Sequence, residues 1–178
     1  SSILSAQQAR PTVQDTASRL KVESSETAEG FLQKGRELRK LSGNVRLRQE
    51  NTLIFCDTAI IDQDDAILKG KVVIQQGDSV KIFGDSAHYH GITRQSDLFG
   101  YCVVTKGDQK LFTKKLHYDV ANKIATYTTG ATMTNGKSQL SSRRGYYHVN
   151  DDQIFFKGNV LITDPDFDGL HTLYISPL

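Results

Sequence analysis

The chain has 178 residues, a length that suits one domain with a tail, and its formal net charge of +2 provides no basic field for nucleic acid. Hydrophobic residues make up 38% of it, enough for a core, and no apolar run approaches the roughly eighteen residues of a membrane helix. Residues 1–17, which include Ser-Ile-Leu-Ser-Ala at 2–6, predict a flexible segment. This segment is either the remnant of a signal peptide or the disordered start of a cytosolic chain.

The next stretch contains half of a strand unit and the one weak helical candidate. At residues 25–28, Ser-Glu-Thr-Ala occupies the slot that Gly-Asp-Ser-Ala has at 84–87. The helical pattern covers residues 31–40, and Gly35 interrupts it. Helical periodicity is nearly absent elsewhere, so we expect a chain of strands.

From residue 41 onward the chain repeats a unit of two strands. Glycines at 43, 70, 100, 130 and 158 recur at spacings of 27, 30, 30 and 28 residues, each beside a short run of strand-forming residues. A second run follows, and turn residues such as Gly77-Asp78 separate the two. The domain at 18–178 is therefore predicted to contain about five two-strand repeats. Its last unit breaks off within residues 174–178, which predicts a domain truncated at its C-terminus.

Alternation of apolar and polar residues gives each unit one apolar face. The apolar parity reverses within the second strand, which predicts a bulge or corner near residues 56–57, 84–85 and 113–114. The predicted fold class is therefore all-β, an antiparallel repeat sheet folded into a V-shaped jelly roll with open edges. Such edges invite strand addition by another copy or by a partner.

The apolar face either packs as a dry core or lines a groove for acyl chains. In a groove, each buried methylene of an acyl chain contributes about 0.8 kcal/mol, so an apolar trough can hold a lipid that water rejects. The predicted lining residues are Val45, Leu47, Ile54, Val72, Ile74, Ile82, Cys102, Val104, Leu111, Val160 and Ile162.

Two cysteines and two basic pairs carry further hypotheses. Cys56 and Cys102 have neither CxxC spacing nor a metal-type cluster, so we expect small buried residues, with a single disulfide as the alternative. The pairs Lys114-Lys115 and Arg143-Arg144 are candidates for contacts with lipid phosphates or a partner, and the alternative is a solvated face.

One segment matches an enzyme motif. Gly84-Asp85-Ser86 is similar to the nucleophile block of the GDSL esterases, and Ser86 with Asp168 and His171 would make a triad. A serine elbow needs a strand-to-helix turn in a parallel α/β sheet, and no helices are evident. A sister repeat fills the same slot with Cys-Asp-Thr at 56–58. We therefore predict that the chain is not an enzyme and has no catalytic residues.

Two segments resemble metal sites. His88 and His90 alternate on a strand, so both imidazoles can share a face, but no third ligand is evident in the sequence. Residues 164–169, Asp-Pro-Asp-Phe-Asp-Gly, match the opening of a calcium loop, but Ile175 stands where a bidentate glutamate is required. We therefore expect half-exposed histidines, a solvated hairpin loop, no metal site and no cofactor.

The repeated pattern of glycine, strand, turn and Ile-x-small-Asp resembles the lipopolysaccharide-transport jelly-roll family, also called OstA-like. This family comprises LptA, the periplasmic part of LptC and the N-terminal domain of LptD. The segments that carry the resemblance are 41–59, 70–89 and 156–162, with the lead-in at 34–45. The fourth unit departs from the pattern, because Ser-Ser-Arg-Arg-Gly at 141–145 replaces its apolar-small-Asp block. There we expect either an interrupted lining or an opened sheet.

The resemblance implies a soluble, exported protein of the periplasm that binds lipid A acyl chains of lipopolysaccharide inside a folded sheet. It further implies edge-to-edge contact with LptC-like or LptD-like proteins or with further copies, forming a bridge toward the outer membrane. No nucleic-acid partner is expected. An alternative of another class is a structural or glycan-binding β-repeat module with a dry core, and a second alternative is a GDSL-like esterase.

Overall fold

The computed structural model describes residues 19–163 and the backbone of residues 172–176. All regular secondary structure in these residues is β-strand, which confirms the all-β prediction. The weak helical candidate at 31–40 is instead part of a hairpin. No membrane-spanning helix is found within the described residues. The predicted flexible segment 1–17 lies outside them.

Fifteen strands lie in the described part of the chain. They are β1 Lys21–Ser24, β2 Thr27–Gln33, β3 Arg36–Gln49, β4 Thr52–Asp62, β5 Asp65–Gln76, β6 Val80–His90, β7 Gln95–Lys106, β8 Gln109–Asp119, β9 Ile124–Tyr127, β10 Ala131–Thr134, β11 Gln139–Ser142, β12 Arg144–His148, β13 Gln153–Lys157, β14 Leu161–Ile162 and β15 Thr172–Ser176.

The strands form one sheet in which chain neighbours pair in antiparallel fashion from β3 to β9. Strand β3 is long enough to pair with β2 along its first half and with β1 along its second half. Past β8, two short strands together take the place of one long strand, as β9 and β10 do beside β8. The pairing of β13 with β15 is parallel, unlike every other pairing in the described sheet.

Every long strand from β3 to β8 meets a register shift at its middle, and on β4, β6 and β8 it lies where the parity reversal predicted a bulge or corner. The register shifts between Phe55 and Thr58 on β4 and between Lys69 and Val72 on β5, for example. Gly70 and Lys71 there have φ values of 80° and 47°. A Cβ added to Gly70 would lie 2.3 Å from Asp57 Oδ2, so the position needs glycine for its backbone and for its space.

The bulges lie in one row and fold the sheet into two layers. We call the strand halves that end in the turns at 50–51, 77–79 and 107–108 the first layer. The halves that end in the turns at 63–64 and 91–94 belong to the second layer. Folding brings the two apolar faces together, which is why both halves of a strand can be buried on one side.

A row of paired side chains, the interior ladder, runs through the first layer from β3 to β14. Its rungs are Leu47, Ile54, Ile74, Ile82, Val104, Leu111, Met133, Leu140 and Ile162. The second layer has a buried row in which tyrosines alternate with small residues: Ile61, Ala66, Tyr89, Ser96, Tyr118, Ala125, Tyr147 and Ile154. The large and small side chains fill the space between the layers.

In the fourth unit the sheet splits along the bend. Strands β9 and β10 are separated by residues 128–130, β11 and β12 by Arg143, and β13 and β14 by residues 158–160. The interior ladder nevertheless continues through Met133 and Leu140, which are fully buried. Of the two expectations for this unit, the opened sheet matches the structure, and the apolar lining is not interrupted.

Candidate functional site

The predicted lining residues all lie on the interior faces of the folded sheet. Nine of them are at most 1% exposed: Val45, Leu47, Ile54, Val72, Ile74, Ile82, Cys102, Val104 and Leu111. Val160 and Ile162 are partly buried and pack against the same core. The structure therefore brings the predicted residues together, but it places them in a packed interior rather than an open trough. Their contact with lipid remains a prediction.

The interior is closed at the mouth, where the turns of the first layer meet those of the second. Gln49 Nε2 donates a hydrogen bond to Gly91 O at 2.8 Å, and the hydroxyl of Tyr89 donates to Gln49 Oε1. The next unit repeats the arrangement, because Gln76 Nε2 donates to Val120 O at 2.7 Å and Tyr118 donates to Gln76 Oε1. We call these interactions the mouth clasps.

A third mouth clasp uses different side chains for the same purpose. Lys106 Nζ donates to Val149 O at 2.8 Å and lies 3.1 Å from Asp152 Oδ1. The hydroxyl of Tyr147 donates to Gln109 Oε1 at 2.8 Å. Each clasp joins one unit to the next, about 40 residues further along, and so ties the two layers as well as the repeats.

Burial shapes the chemistry of the clasp tyrosines. It raises the pKa of Tyr89 to about 12, and it raises the pKa of Tyr118 and Tyr147 well above the ordinary value. The tyrosines are therefore neutral hydrogen-bond donors at physiological pH. Sequence reasoning missed the clasps, although Gln49 and Gln76 recur with the glycine spacing and the tyrosines recur every 29 residues.

The interior ladder ends at β14. This strand has two residues and pairs with β11 alone among the described strands. Leu161 is 62% exposed there, and its neighbour Ile162 is the last rung of the ladder. The apolar row thus reaches the protein surface at a strand edge with which no other described strand pairs.

A cleft of about 790 Å³ lies where the sheet splits at the bend. Exposed Tyr101 and Phe112 line it together with Lys114 and Arg143, one from each predicted basic pair. A second cleft of about 330 Å³ has Arg144 beside the aromatic side chains of β12 and β13. Apolar walls with cations at hand suit an amphipathic anion, which fits the lipid-phosphate hypothesis for these pairs.

The proposed esterase serine has no elbow. Ser86 lies inside β6, directly opposite Lys69 on β5 and Phe99 on β7. A nucleophile elbow needs a strand, a sharp turn and a helix, and this serine is mid-strand in an antiparallel sheet. Asp168, His171 and the calcium-like loop at 164–169 lie outside the described residues.

Cys56 and Cys102 are both buried and both free, so the prediction of small buried residues is confirmed. Burial raises the pKa of Cys56 to about 12 and that of Cys102 to about 11. Both thiols therefore stay protonated at neutral pH and behave as core side chains.

Comparison with known proteins gives a family match and a fold match. A family model described as OstA-like protein matches residues 17–172. Among solved structures, the chain is similar to LptH of Pseudomonas aeruginosa, described as the LptA-homologous periplasmic component of the conserved lipopolysaccharide transport device. The two are 19% identical with a TM-score of 0.52, over 60% of this chain and 79% of that one. No curated protein sequence matches the chain.

Proposed function

Because the chain belongs to the OstA-like protein family, we propose that it is a periplasmic bridge component of lipopolysaccharide transport. In this proposal it carries the acyl chains of lipid A between its two layers, toward the outer membrane. Members of the family are transport proteins without enzymatic activity, which removes the esterase alternative.

The observation that carries the proposal is the interior ladder. It provides hydrocarbon side chains in register from β3 to β14 without a charged rung. A path for an acyl chain needs this continuity in one row. The ladder also reaches the edge at β14, with which only β11 pairs among the described strands, and there an acyl chain can pass to a neighbouring molecule.

Loading requires the layers to separate at the mouth clasps, because the ladder residues contact one another in the closed state. A typical hydrogen bond contributes about 0.5–1.5 kcal/mol net to stability, so the seven hydrogen bonds and ion pairs of the three clasps together contribute roughly 4–10 kcal/mol. Ten methylenes that enter the interior contribute about 8 kcal/mol, and they replace the apolar contacts that separation removes. The two contributions are of similar size, so acyl chains of this length offset the opening of the clasps.

The edges of the sheet suit the proposed partners. Strand β2 is exposed at all seven positions, lies at an edge of the second layer and pairs with β3 alone among the described strands, and β14 lies at an edge of the first layer. Such edges accept a further strand from an LptC-like protein, an LptD-like protein or another copy. The family and the described location of LptH support a periplasmic setting for these contacts.

A crosslinking pair on one strand tests the proposal. A photoreactive diazirine residue replaces Ile74, which faces the interior, or Ile67, which faces outward from the same strand β5. We expect lipopolysaccharide to crosslink at position 74 and not at position 67. Equal crosslinking at both positions, or none at position 74 while the protein retains lipid, contradicts the interior path.

The dry-core β-repeat module is the second candidate, and the near-zero exposure of the ladder favours it. Mass spectrometry of lipids extracted from natively purified protein separates the two, since this module carries no lipid. Ile82→Asp should abolish lipid capture under the proposal. Because Ile82 is fully buried, the circular dichroism spectrum of the Ile82→Asp variant must show a folded sheet before its loss of lipid capture is attributed to lipid contact.

A further inference from the structure

We propose that Asp65, His88 and His90 form a binding site for a divalent transition-metal ion such as Zn²⁺ on the outer face of the second layer. This inference is independent of the lipid path, because the three side chains point away from the interior. The sequence shows the two histidines but not the third residue, which strand pairing supplies.

Strand register places the three residues together. Asp65 begins β5 directly opposite His90 on β6, and His88 lies two residues earlier on the same face. Asp65 Oδ2 is 3.9 Å from His88 Nε2 and 3.7 Å from His90 Nδ1. One ligand atom of each residue lies within 4.8 Å of the others. Ligands at zinc bond lengths in a tetrahedral site are about 3.4 Å apart, so small rotamer changes close the site.

A second carboxylate supports one of the proposed ligands. With Nδ1 of His90 toward Asp65, its other nitrogen, Nε2, lies 3.9 Å from Asp97 Oδ2. The other oxygen of Asp97 is 2.8 Å from His117 Nδ1, and His117 Nε2 is 2.6 Å from Gln95 Oε1. A carboxylate on the far nitrogen of a ligating histidine fixes its tautomer and orientation in many metal sites.

The fold itself does not require this cluster. The position of His88 is taken by Ile60, His117 and Tyr146 in the other units, and the position of His90 by Asp62, Asp119 and His148. A unit therefore forms its hairpin with aliphatic, aromatic or acidic residues at these positions. Two histidines on one face, opposite an aspartate, occur in a single unit of the described sheet.

The donor set selects the class of ion. Two imidazoles and one carboxylate suit Zn²⁺, Ni²⁺ or Cu²⁺, whereas Mg²⁺ and Ca²⁺ prefer oxygen ligands alone. The three side chains are only partly buried, so an ion has access from solvent. Three protein ligands leave the fourth position of a tetrahedral site to water or to an exchangeable ligand.

Isothermal titration of tag-free, chelator-treated protein with Zn²⁺ tests the site. We expect one equivalent to bind, and His88→Ala or His90→Ala to weaken binding by at least about 100-fold. Asp97→Asn should weaken it by about tenfold through the orientation of His90. The matched control is His148→Ala, since His148 occupies the position of His90 in another unit and should leave the affinity unchanged.

Two further measurements decide between the outcomes. The metal-free melting temperature of each variant must equal that of the parent, and His88→Gln with His90→Gln repeats the test if an alanine variant is destabilised. Long-range ¹H–¹⁵N spectra should show a Zn²⁺-dependent shift of His90 Nδ1. Binding of Zn²⁺ by the folded double variant with unchanged affinity, or no binding by the parent chain, overturns the proposal.

Discussion

The regular region, residues 36–119, and the split region, residues 124–162, are built from the same repeat but handle the bend differently. In the regular region each strand passes through its bulge unbroken, with lengths of 11 to 14 residues. In the split region the same positions separate strands of two to five residues. The interior ladder is shared by both, so burial of the apolar face does not explain the difference.

The two regions differ in the side chain that faces the bend glycine. A Cβ on Gly70 would lie 2.3 Å from Asp57 Oδ2, and one on Gly100 would lie 2.4 Å from Asp85 Oδ2. At the bend glycine of the split region, Gly130, Lys114 of the neighbouring strand β8 has the place of these aspartates, and a Cβ on Gly130 would meet no atom closer than 3.9 Å.

Left-handed residues in succession turn backbone N–H groups toward one side, which favours an anion there. Gly70 and Lys71 have this conformation, as do Gly100 and Tyr101 in the regular region and Gly158 and Asn159 in the split region. We infer that a carboxylate against the glycine keeps the strand continuous through its bend, and that a cation there leaves the strand divided. The same fold thus has a stiff portion and a loosely joined portion, set by one side chain per unit.

The largest expected effect comes from two alanine substitutions on the same ladder. Ile82→Ala in the regular region and Leu140→Ala in the split region each remove a fully buried side chain, which costs about 2–5 kcal/mol. We expect Ile82→Ala to lower the stability of the whole chain. Leu140→Ala should instead open residues 124–162 locally. Hydrogen exchange at increasing urea measures both, and an equal loss of protection everywhere in Leu140→Ala would mean that the two regions unfold as one.

Alkaline pH provides a second comparison, through Tyr89 and Tyr127. Burial raises the pKa of each hydroxyl from 10.0 to about 12. Each hydroxyl has a higher pKa in the folded than in the unfolded protein. The contribution of the neutral tyrosine to the free energy of unfolding is therefore complete below pH 10 and is lost as pH rises from about 10 to about 12. It amounts to at most about 3 kcal/mol per tyrosine.

Absorbance at 295 nm during a pH titration follows these two tyrosines, with Tyr89→Phe and Tyr127→Phe assigning the signals. If the split region opens first, the signal of Tyr127 should appear at lower pH than that of Tyr89. The reverse order would contradict the distinction between a stiff and a loose region.

Substitution of the bend glycines should have an effect of intermediate size. Gly70→Ala places an alanine in the left-handed conformation and against Asp57, and we expect it to lower the free energy of unfolding by about 1–3 kcal/mol. Gly130 also has a positive φ, 92°, but an added Cβ would have open space around it. We therefore expect Gly130→Ala to lower the free energy of unfolding by less. Urea denaturation measures both variants. Asp57→Ala should recover part of the loss in the Gly70→Ala background and none of it in the Gly130→Ala background.

The smallest expected effect is an increase in the free energy of unfolding. Lys114→Asp places a carboxylate where the regular region has Asp85, and we expect a stabilisation of up to about 1 kcal/mol with slower exchange at residues 128–131. Lys115→Asp is the matched control, since it makes the same charge change one position away. A gain of equal size in both variants would assign the effect to net charge rather than to the bend.

Local patterns were sufficient for the strands, the bulges and the buried face. The alternation that buries Val72 and Ile74 is visible within one unit, and the role of Gly70 is visible from its recurrence at a near-constant spacing. The structure places all three residues as expected. The mouth clasps were not predicted, because Gln76 meets Tyr118 only after the sheet has folded on itself. The third candidate metal ligand, Asp65, was missed because its proximity to His90 depends on which residues pair across β5 and β6.

The interior ladder has a consequence for direction. Nine rungs at a strand spacing of about 4.8 Å make a path about 38 Å long. Under the proposed function, each rung would offer a lipid tail nearly the same hydrocarbon surface, so the free-energy profile along the path would be almost level, with no rung that traps the tail. A level path lets a tail diffuse both ways with equal ease. Net movement would then have to be imposed at the ends, by supply at one edge of the sheet and removal at the other.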